Sequence, residues 1–85
     1  MTAQEIEDIA ISEVIRHIRR QSTSRTQIDA DDVRVTLVQL VEGKGTFSLT
    51  GTATSLNGLK DFWAWGMSID ARNGRILTKS INQTG

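Results

Sequence analysis

The chain predicts an α+β domain: one N-terminal helix packed on a four-stranded antiparallel meander, in the order α-β-β-β-β. Three observations carry this. Residues 3–21 repeat apolar side chains at helical spacing. Residues 46–55, Thr-Phe-Ser-Leu-Thr-Gly-Thr-Ala-Thr-Ser, alternate with a period of two that no helix can produce. Near the end, Asn73-Gly74 sits between two apolar-alternating runs, a strong hairpin signal.

The helix is justified at both ends. Thr2 followed by Glu5 has capping-box spacing. Glu5, Glu7 and Asp8 fall in the first turns and Arg16, Arg19 and Arg20 in the last, matching the helix dipole. Ile6, Ala10, Ile11, Val14, Ile15 and Ile18 span roughly 180° of the helix, and Ile9 widens the arc. An arc broader than a single contact needs implies packing on two sides. Residues 22–32 are polar and without period, a connecting loop anchored by Ile28.

The first strand covers 33–42. Strict alternation places Val33, Val35, Leu37 and Val41 on one face, and Val38 and Leu40 on the other with Arg34 and Thr36. Its end is therefore apolar on both faces, as in a central or interface strand. Gly43-Lys44-Gly45 is a turn. In the second strand Phe47, Leu49 and Ala53 face inward, with Gly51 between them, and Thr46, Ser48, Thr50, Thr52 and Thr54 form a hydroxyl-rich outer stripe. Asn57-Gly58 marks the next turn, and the last two strands span 59–71 and 75–81.

Two registers are open to the final hairpin. A two-residue loop, Asn73-Gly74, pairs Ile69 with Thr78 and Trp65 with Asn82. A three-residue loop, Arg72-Asn73-Gly74, pairs Ile69 with Leu77 and Trp65 with Ile81. Apolar cross-strand pairs contribute about 0.2–1 kcal/mol each, which favours the second. It collects Trp63, Trp65, Met67, Ile69, Leu77 and Ile81 on one face.

Length and composition bound the rest. The 85 residues form one domain, 1–85. A chain this short buries only about 60–65% of its unfolded surface, so either the core is well packed or a partner completes it. Four strands make a sheet about 15–19 Å wide, and a helix is about 10–12 Å across, so one helix leaves part of a face uncovered. There is no cysteine, and His17 is the only histidine, which excludes disulfides, thiolate zinc sites and multi-histidine metal sites within one chain. Ten basic and ten acidic residues cancel, so nothing draws the whole chain to nucleic acid. Residues 1–42 hold eight acids and five bases, and residues 43–85 two acids and five bases. No apolar run reaches the ~20 residues of a membrane span, and the acidic start is not a secretory signal, so the expected location is cytoplasmic.

No catalytic constellation emerges. His17 is read as a boundary histidine near a helix C-terminus. Asp29, Asp31 and Asp32 fail the calcium-loop pattern, because Arg34 and Leu40 stand where it needs Gly and Glu. Gly43-Lys44-Gly45 lacks the rest of a phosphate-binding loop. No cofactor is expected. Arg16, Arg19, Arg20 and Arg25 form a candidate anion patch.

The stretch Trp65-Gly66-Met67-Ser68-Ile69-Asp70-Ala71-Arg72-Asn73-Gly74-Arg75-Ile76-Leu77 resembles the closing hairpin of PepSY-type domains: an aromatic-led strand, an Asp-Ala pair, a Gly turn and an apolar exit. The helix-then-strands order is similar to cystatin-like folds. The resemblance implies a helix laid across an antiparallel sheet and a role in restraining peptidases outside the cytoplasm, and it transfers no functional residue.

The expected function is a small non-enzymatic interaction module that self-associates as a homodimer. Surplus apolar surface is the reason, and the candidate interface is Ile9, Ile15, Val38, Leu40, Trp63, Trp65 and Met67. One alternative is a peptide or small-ligand binding module using the Trp63/Trp65 sheet face. Another is a weakly binding anion or nucleic-acid accessory working through the Arg16–Arg25 cluster.

Overall fold

A computed structural model describes residues 1–21, 33–55 and 61–85. Helix α1 (Ala3–Gln21) is followed by β1 (Val33–Glu42), β2 (Thr46–Ser55), β3 (Asp61–Asp70) and β4 (Ile76–Gln83). The strands form one antiparallel sheet in the order β1-β2-β3-β4, and the helix lies across its inner face. This is the α+β architecture expected from the sequence.

The helix begins as its capping box dictates. The Glu5 amide donates to Thr2 Oγ1 at 3.2 Å, and the Thr2 amide donates to Glu5 Oε1 at 3.2 Å. These bonds satisfy two amides that a helix start otherwise leaves open. They also hold the Glu5 carboxyl below its usual pKa, the Thr2 amide contributing most. The buried stripe is Ile6, Ala10, Val14 and Ile18, a spacing of four that keeps each residue one turn above the last.

Those four side chains meet Val33 on β1, Phe47, Leu49 and Ala53 on β2, and Trp63, Trp65, Met67 and Ile69 on β3. Ile9, Ile15, Val35, Leu37, Leu40, Ile76 and Ile81 pack half-buried around them. The helix touches β1, β2 and β3, and an ion pair between Lys79 Nζ and Glu13 Oε1 at 2.8 Å ties it to β4. Across the sequence this contact joins residues 66 positions apart.

Gly51 is the tightest point of the sheet. It lies between Leu37 on β1 and Trp65 on β3. A Cβ built on Gly51 would stand 2.5 Å from Trp65 Cζ2 and would collide with the Thr36 carbonyl oxygen. The indole therefore lies over the bare glycine, and its Nε1 donates to the Thr52 carbonyl at 3.2 Å. A strand glycine that admits a close approach of this kind carries both a packing and a hydrogen-bonding role.

Two strand readings are corrected. In β1 the register shifts between Leu37 and Gln39, which leaves Val38 as an extra residue in a bulge. Beyond it Leu40 pairs with Leu49 and turns to the core, whereas Val41 pairs with Ser48 and faces outward. Strict alternation put these two the other way round. The apolar pair at the end of β1 is therefore one core residue and one surface residue.

In the last hairpin, Trp65 pairs with Ile81, as the three-residue loop requires, but Ile69 pairs with Ile76 rather than Leu77. The loop takes four residues, 71–74, closed by the Asp70 amide donating to the Arg75 carbonyl at 2.8 Å. A shift between Ser68 and Ile69 then restores the register and leaves Leu77 half-exposed instead of in the apolar face. Side chains shape this loop: Asp70 Oδ1 accepts from the Arg72 amide at 2.8 Å and Asn73 Oδ1 from the Arg75 amide at 2.9 Å. The Arg72 amide bond also lowers the Asp70 pKa. Gly74, at φ 72°, supplies the left-handed residue.

Gly51→Ala should destabilise the fold by about 2–3 kcal/mol, because neither the Thr36 carbonyl nor the Trp65 ring can yield without shifting a strand. Urea unfolding monitored by tryptophan emission measures it. A loss under about 0.5 kcal/mol would show that the indole can leave the glycine at little cost.

Candidate functional site

Two surfaces stand out, one on each layer of the molecule. The first is the outer face of the sheet. Pairing sets its side chains in rows across the strands: Thr36, Thr52, Ala64 and Asn82; then Gln39, Thr50, Gly66 and Ser80; then Val41, Ser48, Ser68 and Thr78. None of these twelve positions carries a charge. Gly66 lies in the middle and leaves a shallow hollow of about 310 Å³ ringed by hydroxyls. Val41, 48% exposed, belongs to the field; Phe62, 47% exposed, lies in the next row with Thr54 and Arg34; and Val38, 68% exposed, adjoins it on β1.

The second surface is on α1. Ser12, Ile15, Arg16, Arg19 and Arg20 line a groove of about 560 Å³. The structure thus brings together three of the four arginines expected to form an anion patch; Arg25 lies outside the described residues. Glu13 borders the same region. Its side chain is only 12% exposed, yet it holds two cations: Lys79 at 2.8 Å and Arg16 at 3.7 Å. The hydrogen bond from Lys79 keeps its carboxyl below the ordinary carboxylate range against the opposing effect of burial, and the Arg16 and Arg20 charges add to the lowering.

The expected interface residues separate by environment. Trp63, Trp65 and Met67 are buried in the core of the single chain. Ile9, Ile15 and Leu40 are half-buried against that core, and Val38 alone of the group is exposed. Ile9 lines a second groove, about 380 Å³, where α1 overhangs Ile76 of β4. Trp63 Nε1 is buried without a hydrogen-bond partner among the described residues, a state that costs on the order of 1–3 kcal/mol.

Sequence reading missed Val41 and Phe62 as surface residues. The Val41 error follows from the bulge. Phe62 carried a usable signal, since strand alternation sets it opposite in facing to Trp63. Among the described residues no group of three or more His, Asp or Glu side chains could hold a metal ion. Asp29, Asp31 and Asp32 lie outside those residues. No helix among them is long and apolar enough to cross a membrane.

The Glu13 pair makes stability depend on pH in a definite direction. The folded-state pKa lies below the unfolded one, so the contribution is fully present above the unfolded value and is lost as pH falls through the folded value. Glu13→Gln should cost about 1 kcal/mol at neutral pH, and its gap to the native chain should close in acid. Urea midpoints followed from neutrality to about pH 2–3 test this. A gap that stays constant would mean that Glu13 acts through packing and not charge.

No protein-family model matches the chain, and neither a curated protein nor a solved structure matches it.

Proposed function

We propose that this chain is a small non-enzymatic interaction module that self-associates as a homodimer by stacking the outer faces of two sheets. The observation that carries the reading is the block of twelve uncharged outer-face positions, with Val41 exposed within it and Phe62 exposed in the next row, which also holds Arg34 and Thr54. The contrast with the other layer is large: α1 holds seven charged residues in nineteen. A sheet face kept for solvent ordinarily carries lysine and glutamate, which discourage association.

Face-to-face contact is favoured over edge-to-edge contact. Among the described residues β1 and β4 are the edge strands, and both carry a bulge, at Val38 and at Leu77. Bulges interrupt the ladder that a neighbouring strand would extend. The outer face suffers no such break. Nine of its twelve central positions are Thr, Ser, Ala or Gly, whose small side chains let two sheets approach closely, and the other three are Gln39, Val41 and Asn82.

Area sets the expected strength. Four strands about 4.8 Å apart, each contributing about eight residues at 3.4 Å once the Arg34, Thr54 and Phe62 row is counted, present roughly 500 Å². Two copies stacked about a two-fold axis would bury about 1,000 Å², the lower limit for a specific interface. The dimer should therefore be of micromolar and not nanomolar strength. Trp63 and Trp65 contribute to it indirectly, by holding the sheet in shape. Because both indoles are in the core, a ligand reading built on them has no exposed ring to use.

Light scattering on a size-exclusion column across a wide concentration range is the test. The native chain should pass from monomer to dimer over the micromolar range. Thr50→Lys, at the centre of the face, should stay monomeric while keeping the native circular dichroism, because a Lys there is solvated in the monomer and desolvated in the dimer. A native chain that remains monomeric at the highest concentration would overturn the reading, as would a Thr50→Lys chain that dimerises equally well.

A further inference from the structure

We propose that the hollow at Gly66 is a socket for Thr50 of a second copy, an inference that rests on the dimer reading above and fixes how the two copies meet. Gly66 lies mid-strand in β3, an inner strand of the sheet, where a glycine adds backbone entropy and no packing. Gly51 and Gly74 have reasons within the chain: Gly51 lets the Trp65 ring lie against it, and Gly74 takes a φ of 72°. Gly66 has neither reason. Its φ is not positive, and a Cβ built on it meets nothing closer than 3.7 Å among the described residues. Those contacts, with the Leu49 carbonyl oxygen and Thr50 Cγ2, are ordinary ones. The fold would accept a strand-forming side chain here. What the bare position does is keep the hollow open in the outer face, with the exposed Thr50 directly beside it in the same row. A knob and a hollow side by side on one surface are what a self-complementary contact needs.

The pairing of knob with hollow selects one arrangement. Two aligned sheets can stack with like ends together or with opposite ends together. With like ends together, the two-fold axis runs parallel to the strands between β2 and β3, and β2 lies over the partner's β3. Each Thr50 then stands over the partner's Gly66, so both hollows fill at once. In the same arrangement Phe62 lies over the partner's Thr54, and the two Phe62 rings meet across the axis. With opposite ends together about that row, Gly66 faces Gly66 and Thr50 faces Thr50, which leaves a void beside a collision. Phe62 and Asp70 lie four residues to either side of Gly66, so this arrangement also sets each Phe62 over the partner's Asp70, a carboxylate paired with Arg72 at 3.4 Å. Covering a charge with a ring is unfavourable. Crossed sheets overlap over a square about 19 Å on a side, too little area for a specific interface.

Two measurements test the socket and the axis. The chain has no cysteine, so Lys44→Cys, in the turn between β1 and β2, carries a single nitroxide label. In dipolar electron paramagnetic resonance of the dimer, like ends together should place the two labels about 15–25 Å apart, and opposite ends together would place them beyond about 30 Å. Gly66→Thr keeps the chemistry of the face and gains strand propensity. Its thermal midpoint should equal or exceed that of the native chain at monomeric concentration, while its dimer dissociation constant should rise about tenfold or more in light scattering. A native dimer with labels beyond about 30 Å overturns the axis and leaves the dimer standing. A Gly66→Thr chain that dimerises as tightly as the native one overturns the socket in the same way. A Gly66→Thr midpoint well below the native value overturns it too, because the glycine would then serve the fold. A native chain that stays monomeric and shows no dipolar coupling overturns the dimer itself.

Discussion

The packing of Trp65 across Gly51 is the constraint on which the rest of the sheet depends. A glycine in the middle of a central strand is normally a weakness, because it contributes no side chain and costs backbone entropy. Here the indole of the neighbouring strand occupies the vacant volume, and its Nε1 reaches the Thr52 carbonyl. The same glycine faces Leu37, and the β1 register slips at the next residue. Glycine, indole and bulge therefore form one unit. The bulge lets β1 follow the sheet past this point, and it is also what turns Leu40 inward and Val41 outward. The changed facing of Leu40 and Val41 thus begins at the β1 position beside the Gly51–Trp65 contact.

Much of this was legible in the sequence. The capping box, the helix stripe and the strict alternation of β2 each depend on neighbours within one turn or one strand, and each is realised as the pattern implies. The long-range link between Trp65 and Ile81 was also accessible, because apolar pairing distinguishes the two hairpin registers. The bulges were not. A one-residue insertion changes the facing of every later side chain without altering composition or local period. In β1 both Leu40 and Val41 are apolar, so the sequence offers no polar residue to betray which one turns in. In the hairpin, Asp70 and Asn73 bind nearby backbone amides and stretch the loop to four residues, a competition that pairing energies alone do not reveal.

The candidate surfaces were legible to different degrees. Arg16, Arg19 and Arg20 fall together by helical spacing alone, so a single element suffices to find them. Their relation to Glu13 needs tertiary structure, because Lys79 arrives from the last strand and is the closer of its two cations. The outer sheet face needed more: rows of side chains from four strands come into view only once three registers are known. The surplus apolar surface inferred from the sequence was largely core. What remains exposed is smaller and lies elsewhere, on Val38, Val41 and Phe62.

Strand propensity explains part of that outer face but not all of it. Threonine is a good strand former, and its presence at Thr36, Thr50, Thr52 and Thr78 requires no functional reason. The absence of charge does. A marginal domain of 85 residues gains solubility from every exposed Lys or Glu, and α1 shows that this chain uses them freely where a surface is solvated. Twelve central positions on four strands without one charged side chain forgo that gain over a contiguous area. Small hydroxyl residues cost little when hydrated in a monomer, and they also bury at little cost against a copy of themselves, since hydroxyls can pair with hydroxyls across the contact. Such a face suits an interface that forms and dissolves, with the ends marked by Phe62 and Val41 supplying the apolar contacts that favour the closed state.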